Sequence, residues 1–270
     1  MILKKFKNKV ENLTRLIFVN TLSPINNSIV LVEYPKSGGT WLGQLISSYF
    51  NISFPRNRFP SVRRILYHGH YKPIFNIKKN KHIVLLVRDG RDVMVSLYHH
   101  QLLWNDKNRL HPKDVIYHRK NVPFDDFENV KKNMKDFIRY TFTANPSKLK
   151  HFTYQGNWRD FNNSWLNVKE NSNNIYLIKY EDLLKDTDKA MSSILIDFFK
   201  VERINKNELE GIINKYSFEN QANRKKGEES KSSFLRKGVS GDWKNYFDED
   251  AEKEFLRYSA DTMKKLGYIN

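Results

Sequence analysis

Three runs of β-forming apolar residues, each followed by a loop and a helical pattern, constrain this chain more than any other feature. Ile29-Val30-Leu31-Val32-Glu33-Tyr34 stops at Pro35, and a helix is predicted over Trp41 to Phe50. His82-Ile83-Val84-Leu85-Leu86-Val87 is apolar after its first residue and leads to a helix from Asp92 to Trp104. Asn174-Ile175-Tyr176-Leu177-Ile178-Lys179 leads to a third, from Thr187 to Phe199. Strands this continuously apolar are covered on both faces, which means parallel pairing with helices on each side. The expected fold is α/β: a single domain whose central parallel sheet is flanked by helices on both faces, with a phosphate-binding loop after the first strand. A shorter strand, Ile65-Leu66-Tyr67, is expected to end at His68-Gly69-His70. Ligands of such sheets sit outside the carboxyl ends of the strands, so those ends are where chemistry is sought.

Residues 1–27 read as a helical extension and 28–270 as the main domain. Leu3, Phe6, Val10, Leu13 and Ile17 recur at gaps of three and four and share one helix face, before Asn26-Asn27-Ser28 break the pattern. The helix is expected to pack on the domain; a peripheral membrane contact through residues 1–20 is the alternative. No stretch approaches the roughly 18 apolar residues of a membrane span. The Lys-rich start, interrupted by Arg15 and Asn20 around its best apolar run, does not read as a secretory leader. With no Cys, disulfides, thiol nucleophiles and Cys-bound metals are excluded, and the cytoplasm is the expected compartment. Residues 105–123 and 221–241 are polar and weakly patterned, so both are expected to be long surface loops.

Lys and Arg number 47 against 30 Asp and Glu, a net charge of +17. Such an excess draws in anions but does not choose among nucleic acid, an anionic membrane and a phosphorylated small molecule. The strand ends narrow the choice. After the first strand, Lys36-Ser37-Gly38-Gly39-Thr40-Trp41 offers paired glycines for a tight turn, two hydroxyls, one ammonium and the N-terminus of the following helix, which together suit an anion. The lysine precedes the glycines, and no Gly-Lys-Ser/Thr follows to hold Mg²⁺. An ordinary strand-to-helix turn has the same outline. After the second long strand, Arg88 can grip an oxyanion bidentately, and Ser96 lies eight residues on along the helix. A surface Arg-Asp network capping that helix is the bland alternative. His68 and His70 bracket Gly69 at the end of the short strand, and either can serve as a general base near neutral pH. His99-His100 adds two imidazoles, but no H-E-x-x-H or carboxylate cluster accompanies them, so no metal is expected.

Taken together, these segments resemble the sulfotransferases that use 3′-phosphoadenosine 5′-phosphosulfate, in their cytosolic-type branch. The likeness rests on Tyr34 to Trp41, Arg88 to Val93 with Ser96, Tyr180-Glu181-Asp182-Leu183, and Arg236-Lys237-Gly238-Val239-Ser240-Gly241-Asp242-Trp243-Lys244-Asn245, in that order. It implies an enzyme moving a sulfuryl group in line to a hydroxyl or amine acceptor, a small molecule or a glycan, without a metal. Lys36 through Thr40 would cradle the 5′-phosphosulfate, with Lys36 also assisting the leaving phosphate. Trp41, Tyr180 and Phe218 would form the adenine pocket. Arg88, Ser96, Arg236, Lys237 and Gly238 would hold the 3′-phosphate. His70, in Gly69-His70-Tyr71-Lys72-Pro73, matches the family's catalytic base, so His70, Lys36 and Ser96 are the catalytic candidates. The family often has Lys where His68 stands, which leaves open a swap of duties between His68 and His70. The rival enzyme reading is a nucleotide or small-molecule kinase, for which a Gly-Lys-Ser/Thr and a Mg²⁺-binding Asp are missing. A nucleic-acid-binding module is the rival of another class. It would need a basic helix face or stacking platform, whereas the basic residues here are scattered or lie in the anion loops. Abundant aromatics favour an apolar or ring-bearing acceptor over a heavily charged glycan.

Overall fold

The computed structural model describes residues 2–56, 59–73, 77–106, 108–110, 112–144, 156–233 and 235–270, with the side chains of 2–9, 12 and 110 excepted. The strands are β1 (Ile29–Glu33), β2 (Leu66–Gly69), β3 (His82–Val87) and β4 (Ile175–Lys179). The helices in chain order are α1 (Ile2–Thr21), α2 (Gly39–Tyr49), α3 (Gly90–Gln101), α4 (Pro112–Lys120), α5 (Val130–Thr143), α6 (Trp158–Lys169), α7 (Tyr180–Lys185), α8 (Thr187–Ser193), α9 (Lys206–Lys215), α10 (Phe218–Ala222) and α11 (Glu249–Lys265). The chain divides into two compact units: Met1–Val87 with Ser164–Tyr216, and Arg88–Asn163 with Ser217–Asn270.

The first unit holds the whole sheet, in the order β2-β1-β3-β4. Every pairing is parallel, with Val32 opposite Gly69, Glu33 opposite Leu86 and Val87 opposite Lys179. Parallel pairing and helices around the sheet are what the continuous apolar runs imply. Ile29, Leu31, Val84 and Leu86 meet Leu42, Leu45 and Ile46 of α2 and Leu183, Met191 and Ile194 in one core. Each such side chain contributes roughly 1.5–3 kcal/mol when fully buried. The register sets the carboxyl ends of β1 and β2 side by side; β1 stops one residue short of Tyr34, and β2 ends at Gly69, within the His68-Gly69-His70 stretch expected to close it.

The second unit is helical. Tyr98, Phe137, Trp158, Phe161 and Phe255 are buried there, and Gly90 sits so close to Phe255 and Trp158 that a Cβ would stand 2.5 Å and 2.9 Å from their rings. The Asp89 carboxylate caps α3 by accepting from the Arg91 amide at 2.9 Å and also binds the Arg91 guanidinium at 2.8 Å. This is the Arg-Asp capping network offered as the bland alternative, but it is buried rather than superficial.

Helix α1 is held to the first unit, but Leu13 and Ile17 of its stripe face outward, at 59% and 49% exposed. The helix is fixed through its other side, where Val19 is fully buried, its carbonyl accepts from Asn80, and Arg15 donates to the Arg56 carbonyl. Amphipathic spacing shows which residues share a face, not which face finds a partner. One expectation is corrected: residues 105–123 contain α4 rather than only loop. Val115 is its buried anchor, and Asn105 and Asn108 close a turn by exchanging backbone-amide bonds with each other's side chains. With Val115 as the one buried residue of α4, no apolar periodicity marks the helix in the sequence. Residues 221–241 are irregular after α10, as expected.

Candidate functional site

In the first unit, β1 ends directly beneath the loop leading to α2. Lys36 has φ 76 and Gly38 has φ 105, so two left-handed residues turn the chain into the helix. For Lys36 this is a strained conformation that the surroundings must enforce. Gly38 is required twice over, because a Cβ there would stand 2.7 Å from the Tyr180 ring. The Ser37 hydroxyl is buried, 1% exposed, and has no hydrogen-bond partner among the described residues. A buried hydroxyl without a partner costs about 1–3 kcal/mol. The Thr40 hydroxyl accepts from Arg56 Nη2 at 3.2 Å, which adds a cation that no sequence motif singled out. Trp41 and Tyr180 meet edge to face with centroids 6.0 Å apart, and Trp41 Nε1 is buried and also without a partner.

The two imidazoles at the end of β2 are held by one residue. His68 Nε2 lies 2.9 Å from Glu33 Oε1. His70 Nδ1 lies 2.8 Å from the main-chain oxygen of Glu33. A carbonyl only accepts, so the proton sits on Nδ1 and the lone pair on Nε2. Burial pushes the His70 pKa below its ordinary value. The Glu33 carboxylate opposes that fall, while His68 and Lys36 add to it. For Glu33 itself burial acts upward, but the His68 hydrogen bond, the nearby imidazoles and the Gly39 N–H hold its pKa below the carboxylate range. Glu33 was readable only as an odd charge in an apolar strand; the signal was there, but its partners lie six and thirty-five residues away.

In the second unit, Arg88 Nη2 donates to the Val239 carbonyl at 3.1 Å and lies 3.7 Å from Asp92. Asp92 accepts from the backbone amides of Gly241 and Trp243 at 2.7 and 2.9 Å. Arg88 is thereby brought to the 236–243 loop, and Ser96 lies one turn beyond Asp92 on α3. Gly238, with φ 66, is packed against the Phe218 ring so tightly that any side chain would collide with it. Arg236 and Lys237 both bind Asp242, and Arg236 also binds Glu229 at 2.7 Å. Neither carboxylate was singled out from sequence. His99 is buried with neither ring nitrogen partnered among the described residues, and burial with the nearby Arg236 charge brings its pKa down to about 4. Among the described residues no three His, Cys, Asp or Glu gather as metal ligands. No helix is long and apolar enough to cross a membrane among those residues.

The chain is 27% identical to sulfotransferase 1E1 of Rattus norvegicus, over 91% of this chain and 86% of that protein. Its fold is shared with mouse sulfotransferase SULT7A1 complexed with PAP, with a TM-score of 0.63 at 22% identity over 94% of this chain and 89% of that one. Retinol dehydratase in complex with androsterone and inactive cofactor PAP gives a TM-score of 0.58 at 16% identity, covering 93% of this chain and 85% of that one. The family model of the sulfotransferase domain matches residues 54–267, which is most of the chain and takes in β2 with its two imidazoles, the Arg88 region and the 236–245 loop. The chain therefore belongs to the sulfotransferase family.

Proposed function

We propose that this chain transfers the sulfuryl group of 3′-phosphoadenosine 5′-phosphosulfate to the hydroxyl of a small apolar or ring-bearing acceptor, in the cytoplasm. The observation that carries the reading is the Lys36–Trp41 loop, with its enforced left-handed turn and its buried, unpartnered Ser37 hydroxyl. The donor, at about −4 with its 3′-phosphate near −2, brings a sulfur electrophile and a good leaving group. Ser37, Gly38, Gly39 and Thr40 hold its 5′ end at the start of α2, and Lys36 neutralises the charge that appears on the 5′-phosphate as the sulfur–oxygen bond breaks. Trp41, Tyr180 and Phe218 take the adenine. Arg88, Ser96, Arg236, Lys237 and the Gly238 backbone take the 3′-phosphate. His70 Nε2 removes the acceptor hydroxyl proton as the new oxygen–sulfur bond forms, with Nδ1 anchored on Glu33. His68, turned to the Glu33 carboxylate, is not the base. Androsterone in the retinol dehydratase complex supports an apolar ring compound as acceptor class. The domain division is the one read from sequence, residues 28–270 for the catalytic domain and 1–27 for the helical extension.

Adenosine 3′,5′-bisphosphate should stabilise the protein without Mg²⁺ at near-physiological salt. At a hundred times its dissociation constant a ligand contributes about 2.7 kcal/mol, several degrees of melting temperature for a chain of this size. An equal shift from ATP with Mg²⁺ would sink the reading, and radiolabelled donor sulfate offered to acceptor pools then identifies the product. The exposed Leu13 and Ile17 favour one addition, a peripheral contact of α1 with an anionic membrane surface. Cosedimentation with phosphatidylserine vesicles that is unchanged in Leu13→Ser/Ile17→Ser would dismiss it.

A further inference from the structure

Glu33 is a carboxylate at the end of an otherwise apolar strand, only 4% exposed. Taking a carboxylate out of water costs several kcal/mol unless it is paired and hydrogen-bonded, so its place beneath an anion-binding loop needs a reason. Negative charge at a helix start that receives an anion should weaken that anion's binding. The partners of Glu33 supply the reason. Its side chain accepts the Gly39 amide, the first of α2, and holds His68 Nε2, while its main-chain oxygen accepts His70 Nδ1–H. The fit depends on Gly39, where a Cβ would stand 2.5 Å from both the Glu33 carboxyl carbon and His68 Nε2. Strand β1, the start of α2 and both imidazoles of β2 are thus locked together through one residue.

We propose that Glu33 is the positioning residue that ties the donor loop to the general base, its carboxylate fixing the start of α2 and its main-chain carbonyl fixing the His70 ring. This rests on the sulfuryl-transfer reading. His68 serves as the counter-group that keeps the buried carboxylate ionised and aimed at Gly39. The arrangement has an electrostatic consequence at His70. The charged and titratable groups facing it are Glu33, His68 and Lys36, and of these only Glu33 favours its protonation. Removing the Glu33 charge therefore moves the His70 titration to lower pH, even where the backbone carbonyl still anchors Nδ1.

The test compares Glu33→Gln with Glu33→Ala in the full chain. Gln keeps an oxygen for the Gly39 amide but no charge; Ala keeps neither. Glu33→Ala should lower kcat and weaken adenosine 3′,5′-bisphosphate binding by roughly 10–100-fold, the scale of a 1 Å misplacement. Glu33→Gln should bind that nucleotide within about threefold of wild type while the His70 imidazole, followed by NMR in the protein without ligand, titrates at lower pH. A structural role alone would not move that titration. Wild-type kinetics and affinity in a folded Glu33→Ala, or an unmoved His70 titration in Glu33→Gln, would overturn the proposal. If Glu33→Ala does not fold, the Gln titration decides by itself. Failure of the wild type to bind the nucleotide or transfer sulfate would instead strike the sulfuryl-transfer reading.

Discussion

The two loops proposed to hold the donor differ in what they offer: Ser37 to Trp41 presents a buried hydroxyl at a strand-to-helix junction whose Gly39 amide is already held by Glu33, whereas Arg236 and Lys237 are long side chains already bonded to Asp242 and Glu229. The first loop leaves a buried donor without a partner. In the second, the charges are satisfied within the chain before any ligand arrives. Fixed donors need no reorganisation as charge develops, which suits the reacting end of a donor molecule. Paired cations are held in place but must share or exchange their carboxylates with a phosphate, which suits recognition more than rate enhancement. Substitutions in the first unit should therefore act mainly on turnover and those in the second on affinity and stability.

His70→Ala should give the largest effect, a loss of roughly 10²–10⁴ in kcat for removal of a general base. Its affinity for adenosine 3′,5′-bisphosphate should hold within about threefold. His68→Ala should keep measurable transfer, and the reverse ranking in acceptor assays would show the duties swapped. Because burial lowers the His70 pKa, the acid limb of the kcat/KM profile should lie below the ordinary histidine value of about 6.5. A limb at or above that value would break the assignment.

Lys36→Ala comes next, with kcat expected to fall about 10²–10³-fold, the scale of losing one preorganised donor. Circular dichroism should show the fold intact. Turnover within about threefold of wild type would mean that the first loop is only a turn.

Arg88→Ala should weaken adenosine 3′,5′-bisphosphate by roughly 10–100-fold, the worth of a charged hydrogen bond. Adenosine 5′-phosphate should be affected much less. Equal losses in calorimetry would remove Arg88 from a 3′-phosphate site and leave it as a brace for Val239 and Asp92.

Asp242→Asn should have the smallest effect on turnover, with a stability loss of about 1–3 kcal/mol for a largely buried network. Burial acts to raise the Asp242 pKa, but Lys237 and Arg236 hold it below the ordinary value. A folded-state pKa below the unfolded one contributes stability that is present above the unfolded pKa and is lost as pH falls through the folded one. The gap between wild type and Asp242→Asn in urea titrations should therefore close below about pH 4. A gap that persists there would mean the pairing is not what Asp242 contributes.

By itself the sequence determined the parallel sheet, the glycine-rich turn after β1 and the order of the four signature segments. Apolar continuity, paired glycines and helix starts are properties of neighbouring residues, so one chain suffices to read them. Only the tertiary structure decided what the charged and imidazole groups do. His68 and His70 are two residues apart with the same chemistry, and they part company because β2 pairs with β1 in a register that offers one the carboxylate and the other the carbonyl of Glu33. The same holds for α1, whose apolar stripe is plain in sequence while the buried side is set by Val19 and Asn80. Helix α4 escaped notice because Val115 is its one buried residue, which leaves no apolar periodicity to read. Partners far apart in sequence are chosen by packing, and packing free energy is a property of the assembled chain rather than of any segment of it.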